Sequence, residues 1–259
     1  MSYIFSANTG FLWTDRPLPD RIRAAAAAGF DAVEFHDEAQ RSDLAAVRAA
    51  LAETGLPVCG LNVRMGDTAG CAAIPGQEDQ ARRDVDAAAA VAGALDAGAI
   101  HVLAGRAGDA ADRAAYLRVL RHALEATDRV VLIEPICRVA IADYPLSDMD
   151  SAAAIVDEIG DPRLKVMFDI FHVQHESGDS AAVFAQHAGI IGHVQIASFP
   201  TRCEPGVADT LDYAHLLPAM RAAGYTGAIG CEYRPRSTVE AGMDWLAALR
   251  RALGGVRPG

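Results

Sequence analysis

The chain alternates between two hydrophobic patterns along its whole length. Short runs rich in β-branched residues predict strands, and they lie at residues 3–8, 31–36, 57–63, 99–104, 130–136, 164–172, 190–198 and 228–233. Longer stretches rich in alanine and leucine, with interspersed Arg, Glu and Asp, predict helices with one solvent-facing side, and they lie at residues 20–28, 42–53, 78–97, 110–126, 147–159, 180–187 and 213–223. Glycines that would close a helix follow several of these stretches, namely Gly29, Gly55, Gly98 and Gly224.

Strict alternation of strands and helices predicts parallel strands, because each parallel crossover needs a helix. An open doubly wound sheet would normally carry a glycine-rich phosphate loop after its first strand. Here that strand leads into residues 8–12 (NTGFL), which contain neither such a loop nor a Walker lysine. The length of 259 residues is also close to the roughly 250 of a closed barrel. We therefore predict an α/β fold, a single (β/α)8 TIM barrel domain that spans residues 1–259.

Composition narrows the range of partners. The formal net charge of −11 disfavours nucleic acid, because phosphate contacts are built from clustered Lys and Arg. No apolar run approaches the ~18 residues of a membrane span, and the first residues do not resemble a signal peptide, so no membrane partner and a cytoplasmic location are expected. The five cysteines are scattered without a CxxC pair, which predicts reduced thiols. The oligomeric state stays open, with a homo-oligomer as one alternative.

Four polar residues mark the ends of consecutive strands, where a barrel carries its catalytic groups. Glu134, Asp169, Gln195 and Glu232 end strands five to eight and are each about one βα unit apart. Side chains alternate across a strand, and in strands five to seven the apolar neighbours of these residues occupy the outward positions. The four side-chain oxygens should therefore converge above the barrel axis.

Such a convergence predicts a bound cation. A single acidic residue at a strand end is usually a helix cap or a solvated loop residue, but three acidic residues and a glutamine at the ends of four successive strands, on the inward side, are harder to explain in that way. Three carboxylates that meet without a cation would repel one another and lose their hydration. Because the predicted ligand set is all oxygen, it indicates one divalent ion, Mg²⁺ or Mn²⁺, rather than a zinc site of thiolates or several imidazoles.

With these residues in hand, the chain resembles the hydroxypyruvate isomerase family, within the xylose-isomerase-like TIM barrels that include ketose 3-epimerases. The resemblance runs nearly end to end. It rests on residues 5–8 (FSAN), 29–35 (GFDAVEF), 74–78 (IPGQE), 132–136 (LIEPI), 168–174 (FDIFHVQ), 192–197 (GHVQIA), 202–206 (RCEPG) and 230–233 (GCEY).

The resemblance implies roles for individual residues. The residues that match Glu134, Asp169, Gln195 and Glu232 hold the metal in the family, and the two glutamates exchange protons with the substrate. Residues that match His172 and Arg202 contact substrate oxygens, and Arg202 has a guanidinium suited to a substrate carboxylate. Glu204 and Glu34 are weaker candidates for substrate binding.

The substrate-facing loops depart from the family pattern. The family usually shows an asparagine and then a D-x-P-G-F-type loop where residues 137–144 read CRVAIADY. Thr201 stands where the family has a histidine, and Asp209 stands where it has a glutamate. These departures leave the exact substrate open.

The expected function is isomerisation of a small hydroxy-aldehyde or hydroxy-ketone acid, of the hydroxypyruvate and tartronate semialdehyde type, by proton transfer through an enediolate. A 2-oxo-tetronate isomerase and a ketose 3-epimerase remain alternatives. A more distant one is a metallo-hydrolase of the endonuclease IV type, although Gln195 and the acidic charge disfavour it. The single lysine, Lys165, lies too far towards the barrel floor for a Schiff-base aldolase, and a non-catalytic sugar-binding module would have no need of two opposed glutamates.

Overall fold

The computed structural model describes residues 3–206 and 209–254, and these residues form a closed barrel of eight parallel strands. The strands pair in sequence order, and the barrel closes where the first strand pairs with the eighth. The strands are β1 (Phe5–Asn8), β2 (Ala32–Phe35), β3 (Val58–Asn62), β4 (Ala99–His101), β5 (Val130–Ile133), β6 (Leu164–Asp169), β7 (Ile191–Ile196) and β8 (Ile229–Cys231). All eight predicted strands are present, so the predicted (β/α)8 barrel is confirmed.

The helices lie between the strands and after the last of them. They are α1 (Leu18–Ala28), α2 (Leu44–Thr54), α3 (Glu78–Leu95), α4 (Arg113–Ala126), α5 (Met149–Ile159), α6 (Ile170–Ser177), α7 (Ser180–His187), α8 (Tyr213–Ala222) and α9 (Asp244–Ala252). The sequence did not predict α6 or α9. The predicted sixth strand at residues 164–172 was too long, because its last three residues begin α6.

The helix ends follow from local chemistry. Aspartates such as Asp43, Asp112 and Asp148 stand immediately before helices and accept hydrogen bonds from backbone N–H groups of the first turn, which satisfies donors that have no partner within the helix. Gly29 has φ +88° at the end of α1, a conformation that suits glycine. The prediction for Gly98 was wrong, because Asp96 takes the left-handed position after α3.

Two layers of apolar side chains hold the barrel together. Outward-facing residues of the strands pack under the helices in one large core, and in β5–β7 these residues are Val131, Ile133, Val166, Phe168, Val194 and Ile196. A smaller cluster of Ala99, Leu132 and Met167 lies apart from that core, on the alternate positions of β4, β5 and β6. The predicted alternation on these strands is confirmed, and it directs the alternate positions to the barrel interior.

The remaining structural expectations concern cysteines and membranes. All five cysteines are free thiols, as predicted. Within residues 3–206 and 209–254, none of the helices combines the length and the apolar character that crossing a bilayer requires. Lys165 is the second residue of β6, and its Nζ donates to the carbonyl oxygen of Gly189, 2.9 Å away. Lys165 therefore lies at the end of the barrel opposite to the carboxyl ends of the strands.

Candidate active site

The four predicted residues stand together at the carboxyl ends of β5–β8. Glu134 directly follows β5, Asp169 ends β6, Gln195 lies in β7 opposite Asp169, and Glu232 directly follows β8. All four are buried. A cavity of about 290 Å³ opens above them, and its lining includes Glu134, His172, Arg202 and Glu232. The structure therefore brings the predicted residues to one place, at the end of the barrel where such enzymes carry their chemistry.

Glu232 accepts hydrogen bonds on both carboxylate oxygens. Its Oε1 accepts from Nη2 of Arg202 at 2.6 Å, and its Oε2 accepts from Nδ2 of Asn8 at 2.8 Å and from Nε2 of Gln195 at 2.7 Å. Burial raises the pKa of Glu232 to about 8, although the positive charge of Arg202 acts in the opposite direction. Glu232 can therefore exchange a proton near neutral pH.

Gln195 connects Glu232 to a second, deeper carboxylate. Its Nε2 donates to Oε2 of Glu232 and also to Oε1 of Glu34, each at 2.7 Å. The reverse orientation of the amide would point its oxygen at two carboxylate oxygens, so this orientation is the stable one. The amide Oε1 is buried and has no hydrogen-bond partner among the described residues. Its lone pairs are therefore available to a cation.

Glu134 differs from Glu232 in its surroundings. Its Oε1 is buried without a hydrogen-bond partner among the described residues, and Nε2 of His172 and Nε2 of His101 each lie 3.7 Å from one of its carboxylate oxygens. Burial raises the pKa of Glu134 well above the usual value, and the negative charges of Glu232 and Asp169 add to this effect. Glu134 is thus a carboxyl group that tends to hold a proton.

Asp169 has a structural role as well as its place in the site. Its Oδ1 accepts from the backbone N–H of Phe171 at 2.9 Å and so caps the first turn of α6. Its Oδ2 accepts from Nη2 of Arg202 at 3.0 Å and lies 3.4 Å from Nε2 of His172. One carboxylate therefore starts the helix that carries His172 and also faces the cavity residues.

Arg202 lies between the two carboxylates and two aromatic rings. Its Nη2 donates to both Asp169 and Glu232, and its guanidinium carbon is 5.0 Å from the ring centres of Phe11 and of Phe171. Cation–π contacts of this kind favour a buried guanidinium. Its backbone has φ +55°, and its Nε is buried and without a partner in the described part of the chain.

His172 is held as a neutral imidazole. Burial lowers its pKa to about 3, and the Sγ atom of Cys137 lies 3.1 Å from its Nδ1. Its Nε2 points to Asp169 and Glu134, as given above. His172 lines the cavity, so its Nε2 can meet an oxygen of a bound molecule.

Glu34 is embedded in a set of inward-facing polar residues below the cavity. Its carboxylate accepts from Ser6 Oγ at 2.6 Å and from Asn8 Nδ2 at 3.1 Å, and Nε2 of His193 lies 2.8 Å away. Burial by itself would raise the pKa of Glu34, but His193 and the hydrogen bonds lower it below the usual value. A Cβ atom at Gly230 would lie only 2.6 Å from both carboxylate oxygens, so glycine makes room for this charge.

Glu204 lies apart from the other predicted residues. Its Oε1 accepts from the backbone N–H of Arg236 at 3.0 Å, and its Oε2 is 3.3 Å from Nε of the same arginine. It is buried and does not line the cavity. Because both carboxylate oxygens are engaged with Arg236, the structure gives no support to a substrate contact by Glu204.

Other residues at the site were not singled out from the sequence. Asn8 joins Glu34 to Glu232, and His101 is buried and lines the cavity beside Glu134. Both stand at the ends of strands, β1 and β4. The search for polar residues at the ends of strands was applied only to strands five to eight. The same search over the first four strands would have found Asn8 and His101.

The residues present suit a divalent cation. Within the described residues, Glu134, Asp169 and His172 each offer one ligand atom within 4.8 Å of the others. The unpartnered oxygens of Glu134 and Gln195 supply further lone pairs. Carboxylate and amide oxygens favour hard ions such as Mg²⁺ and Mn²⁺. His172 belongs to this cluster, although the sequence assigned it to the substrate.

The fold and the site together define a barrel enzyme, and comparisons with known proteins agree. A family model described as "Xylose isomerase-like TIM barrel" matches residues 22–249. A 2-oxo-tetronate isomerase from Cupriavidus necator is 40% identical over 253 residues, which cover 93% of this chain and 96% of that protein. A hydroxypyruvate isomerase from Escherichia coli K12 is 35% identical over 257 residues, which cover 95% of this chain and 99% of the relative.

A solved structure is similar over the whole barrel. A protein described as an AP endonuclease of family 2 from Brucella melitensis is 32% identical and superposes with a TM-score of 0.89, over 95% of this chain and 98% of the other. This chain belongs to the hydroxypyruvate isomerase family of the xylose isomerase-like TIM barrels. It is therefore an enzyme of the isomerase class.

Proposed function

We propose that this enzyme is a metal-dependent isomerase that interconverts a small hydroxy-aldehyde acid and its hydroxy-ketone isomer, of the hydroxypyruvate and tartronate semialdehyde type. The observation that supports this most directly is the pair of buried glutamates, Glu134 and Glu232, that line one cavity. Two such groups are what a proton transfer between neighbouring carbon atoms needs.

Glu134, Asp169, Gln195 and Glu232 are the proposed ligands of one divalent ion, Mg²⁺ or Mn²⁺. A bound ion of this kind supplies Lewis-acid polarisation of the carbonyl and offsets the negative charge that develops on the two oxygens. The oxygen of Gln195 supports this assignment because nothing else in the described structure uses it. His172, which stands close to Glu134 and Asp169, is proposed to contact the substrate.

The two glutamates have different roles in the first proton transfer. Arg202, Asn8 and Gln195 all donate hydrogen bonds to Glu232, and these bonds stabilise its carboxylate form. Glu232 is therefore proposed to remove the proton from the carbon atom, and the Glu134 carboxyl to donate one. In the reverse direction the roles exchange. Return of the proton to the neighbouring carbon gives isomerisation, whereas return to the other face of the same carbon gives epimerisation.

His172 and Arg202 are proposed to orient the substrate. Nε2 of His172 faces the cavity beside Glu134, and Nε of Arg202 is a buried donor without a partner among the described residues. A substrate oxygen that accepts from Arg202 would satisfy that donor, and buried donors are rarely left unpaired. Both contacts would hold the reacting carbon atoms between the glutamates.

The substrate is proposed to be a three- or four-carbon acid. The named relatives are a hydroxypyruvate isomerase and a 2-oxo-tetronate isomerase. Three- and four-carbon acids are therefore the first substrates to test. A panel of C3–C6 hydroxy-carbonyl acids and ketoses, followed by NMR in D₂O with Mg²⁺ or Mn²⁺, tests the proposal. Deuterium should enter at the carbon next to the carbonyl as the isomer appears. No exchange with any member of the panel would contradict the reaction type, and exchange with inversion at C3 of a ketose would favour an epimerase.

An endonuclease is the alternative that the Brucella melitensis structure suggests by its description. The cation cluster among the described residues contains one histidine, whereas endonuclease IV-type sites rely on several zinc-binding histidines. Incubation of the protein and Mn²⁺ with a plasmid that carries abasic sites distinguishes the two. Incision would favour the hydrolase, and an intact plasmid together with deuterium exchange would favour the isomerase.

A further inference from the structure

The carboxylate of Glu34 is fully engaged by neighbouring side chains. Its Oε2 is 2.6 Å from Oγ of Ser6 and 2.8 Å from Nε2 of His193. Its Oε1 accepts from Nδ2 of Asn8 at 3.1 Å and from Nε2 of Gln195 at 2.7 Å. A carboxylate has about four acceptor positions, so these contacts occupy them. The pocket beside Glu34 measures about 10 Å³, which is room for one water molecule at most and not for a substrate.

Two amide groups connect Glu34 to Glu232, a proposed metal ligand. Nε2 of Gln195 lies 2.7 Å from Oε1 of Glu34 and 2.7 Å from Oε2 of Glu232. Nδ2 of Asn8 lies 3.1 Å and 2.8 Å from the same two oxygens. Both amide oxygens therefore point away from the two carboxylates. Oδ1 of Asn8 accepts from the backbone N–H of Gly10 at 3.0 Å, whereas Oε1 of Gln195 is buried without a partner among the described residues.

The register of the barrel strands leaves space for Glu34 beside Gln195. Gly230 of β8 pairs with Gln195 of β7 on one side and with Ser6 of β1 on the other. A Cβ atom at Gly230 would lie 2.6 Å from both carboxylate oxygens of Glu34 and 2.8 Å from Cγ of Gln195. Because real Cβ atoms do not approach other atoms so closely, the contact between these two side chains depends on glycine at this position.

We propose that Glu34 is a positioning residue of the cation site, which holds the amide of Gln195 so that its Oε1 faces the divalent ion. This assignment rests on the proposed function and extends it to a residue that itself touches neither the ion nor the substrate. With Glu232 as the sole acceptor, the terminal torsion of Gln195, which has broad energy minima, would let the amide oxygen turn away. Glu34 fixes the second hydrogen of the amide and repels the oxygen of the reversed orientation.

Metal binding by two variants tests this role. Glu34→Gln keeps the shape but can offer either an oxygen or an NH₂ group to Gln195, so it no longer fixes one orientation. Gly230→Ala keeps the charge of Glu34 and displaces its carboxylate. In both variants the Mn²⁺ affinity of the chelator-treated full-length protein, measured by calorimetry, should fall about tenfold or more. Asp84→Asn is the matched control, because Asp84 is a buried carboxylate that accepts from Gln80 and does not line the cavity.

A double-variant cycle shows whether Glu34 acts through Gln195. Loss of a negative charge near the ion could weaken Mn²⁺ binding by itself, without any change in the glutamine. In the Gln195→Leu background the oriented group is absent, so Glu34→Gln should lower the Mn²⁺ affinity further by less than about twofold. A further loss of about tenfold in that background would overturn the positioning role.

The side-chain amide signals of Gln195, followed by NMR in the chelator-treated protein, report the orientation without metal or turnover. The exchange of these hydrogens with solvent should be faster in Glu34→Gln than in the wild type and unchanged in Asp84→Asn. Unchanged exchange in Glu34→Gln, or a wild-type Mn²⁺ affinity in that variant, overturns the positioning role and leaves the proposed function standing. Failure of the wild type to bind Mn²⁺ contradicts the metal dependence of the proposed function, and the role of Glu34 at the ion falls with it.

Discussion

The Sγ atom of Cys137 lies 3.1 Å from Nδ1 of His172, and both residues are buried. Because Nε2 of the same ring faces carboxylate oxygens of Asp169 and Glu134, the favoured tautomer has its proton on Nε2. In this tautomer Nδ1 accepts from the thiol. The thiol of Cys137 is therefore the donor that orients this histidine.

Removal of that donor should weaken catalysis. Cys137→Ala leaves Nδ1 of His172 without a partner, and we expect kcat to fall up to about tenfold, the range for one hydrogen bond. Cys137→Ser keeps a donor and should retain most of the activity. Steady-state kinetics give the comparison, and ¹⁵N shifts of His172 report the tautomer directly. Wild-type kcat and an unchanged tautomer in the alanine variant would rule out this role.

The two glutamates should be essential for turnover but not for folding. Glu134→Gln and Glu232→Gln preserve shape and remove the proton-transfer group, so we expect deuterium exchange to slow by at least about 10²-fold. The melting temperature of the metal-free Glu134→Gln variant should match or exceed that of the wild type, because a buried carboxyl with a raised pKa is replaced by a neutral amide. A fully active variant of either glutamate would end the proposed mechanism.

Gln195 should be needed for metal affinity. Gln195→Leu has a similar volume but loses the unpartnered amide oxygen as well as the two hydrogen bonds to Glu34 and Glu232. We expect Mn²⁺ binding, measured by calorimetry on the chelator-treated protein, to weaken at least about tenfold. Gln77→Leu is a suitable control because Gln77 is exposed. Equal affinities in the two variants would remove Gln195 from the ligand set.

Acid should destabilise the metal-free protein through His101. Burial lowers the pKa of His101 from 6.5 to about 3, so between these values the unfolded chain binds a proton that the folded chain does not. The contribution of neutral His101 to the free energy of unfolding is therefore fully present above pH 6.5 and is lost as the pH falls towards 3. At pH 5 the loss is about 2 kcal/mol relative to pH 7.5, at about 1.4 kcal/mol for each pH unit below 6.5.

A variant without His101 is needed to isolate the contribution of this histidine. The reason is that the raised pKa of Glu232 changes the free energy of unfolding with pH in the opposite direction. Its folded-state value of about 8 against a usual 4.5 means that stability declines as the pH rises between these values. The difference in the free energy of unfolding between His101→Gln and the wild type should therefore shift in favour of the variant when the pH is lowered from 7.5 to 5. Urea unfolding of both proteins at the two pH values measures this difference. An identical pH dependence in the two proteins would show that His101 does not contribute.

The alternation of side chains made most of the barrel predictable. β5, β6 and β7 carry β-branched and aromatic residues on their outward positions, and these signals located both the strands and the site residues that follow the same alternation. The pattern is local and repeats along the chain. Glu134, Asp169, Gln195 and Glu232 could therefore be brought together without any knowledge of tertiary contacts.

The start of α6 shows where this reasoning did not suffice. Residues 170–173 read IFHV, a run with strand preference, yet they form a helix because Asp169 caps it and tertiary packing outweighs local preference. The pairing of Glu204 with Arg236 and the position of Arg202 between Phe11 and Phe171 join distant segments. No periodicity in one sequence encodes such partners, so these contacts required the structure.

The location of Lys165 has a practical consequence. Lys165 is the single lysine of the sequence, and as the second residue of β6 it lies at the opposite end of the barrel from Glu134 and Arg202. Molecules attached to a surface through the side-chain amine of Lys165 would have their opening towards the solution. A film of enzyme coupled in that way would keep free access for small solutes, which random coupling through many lysines does not provide.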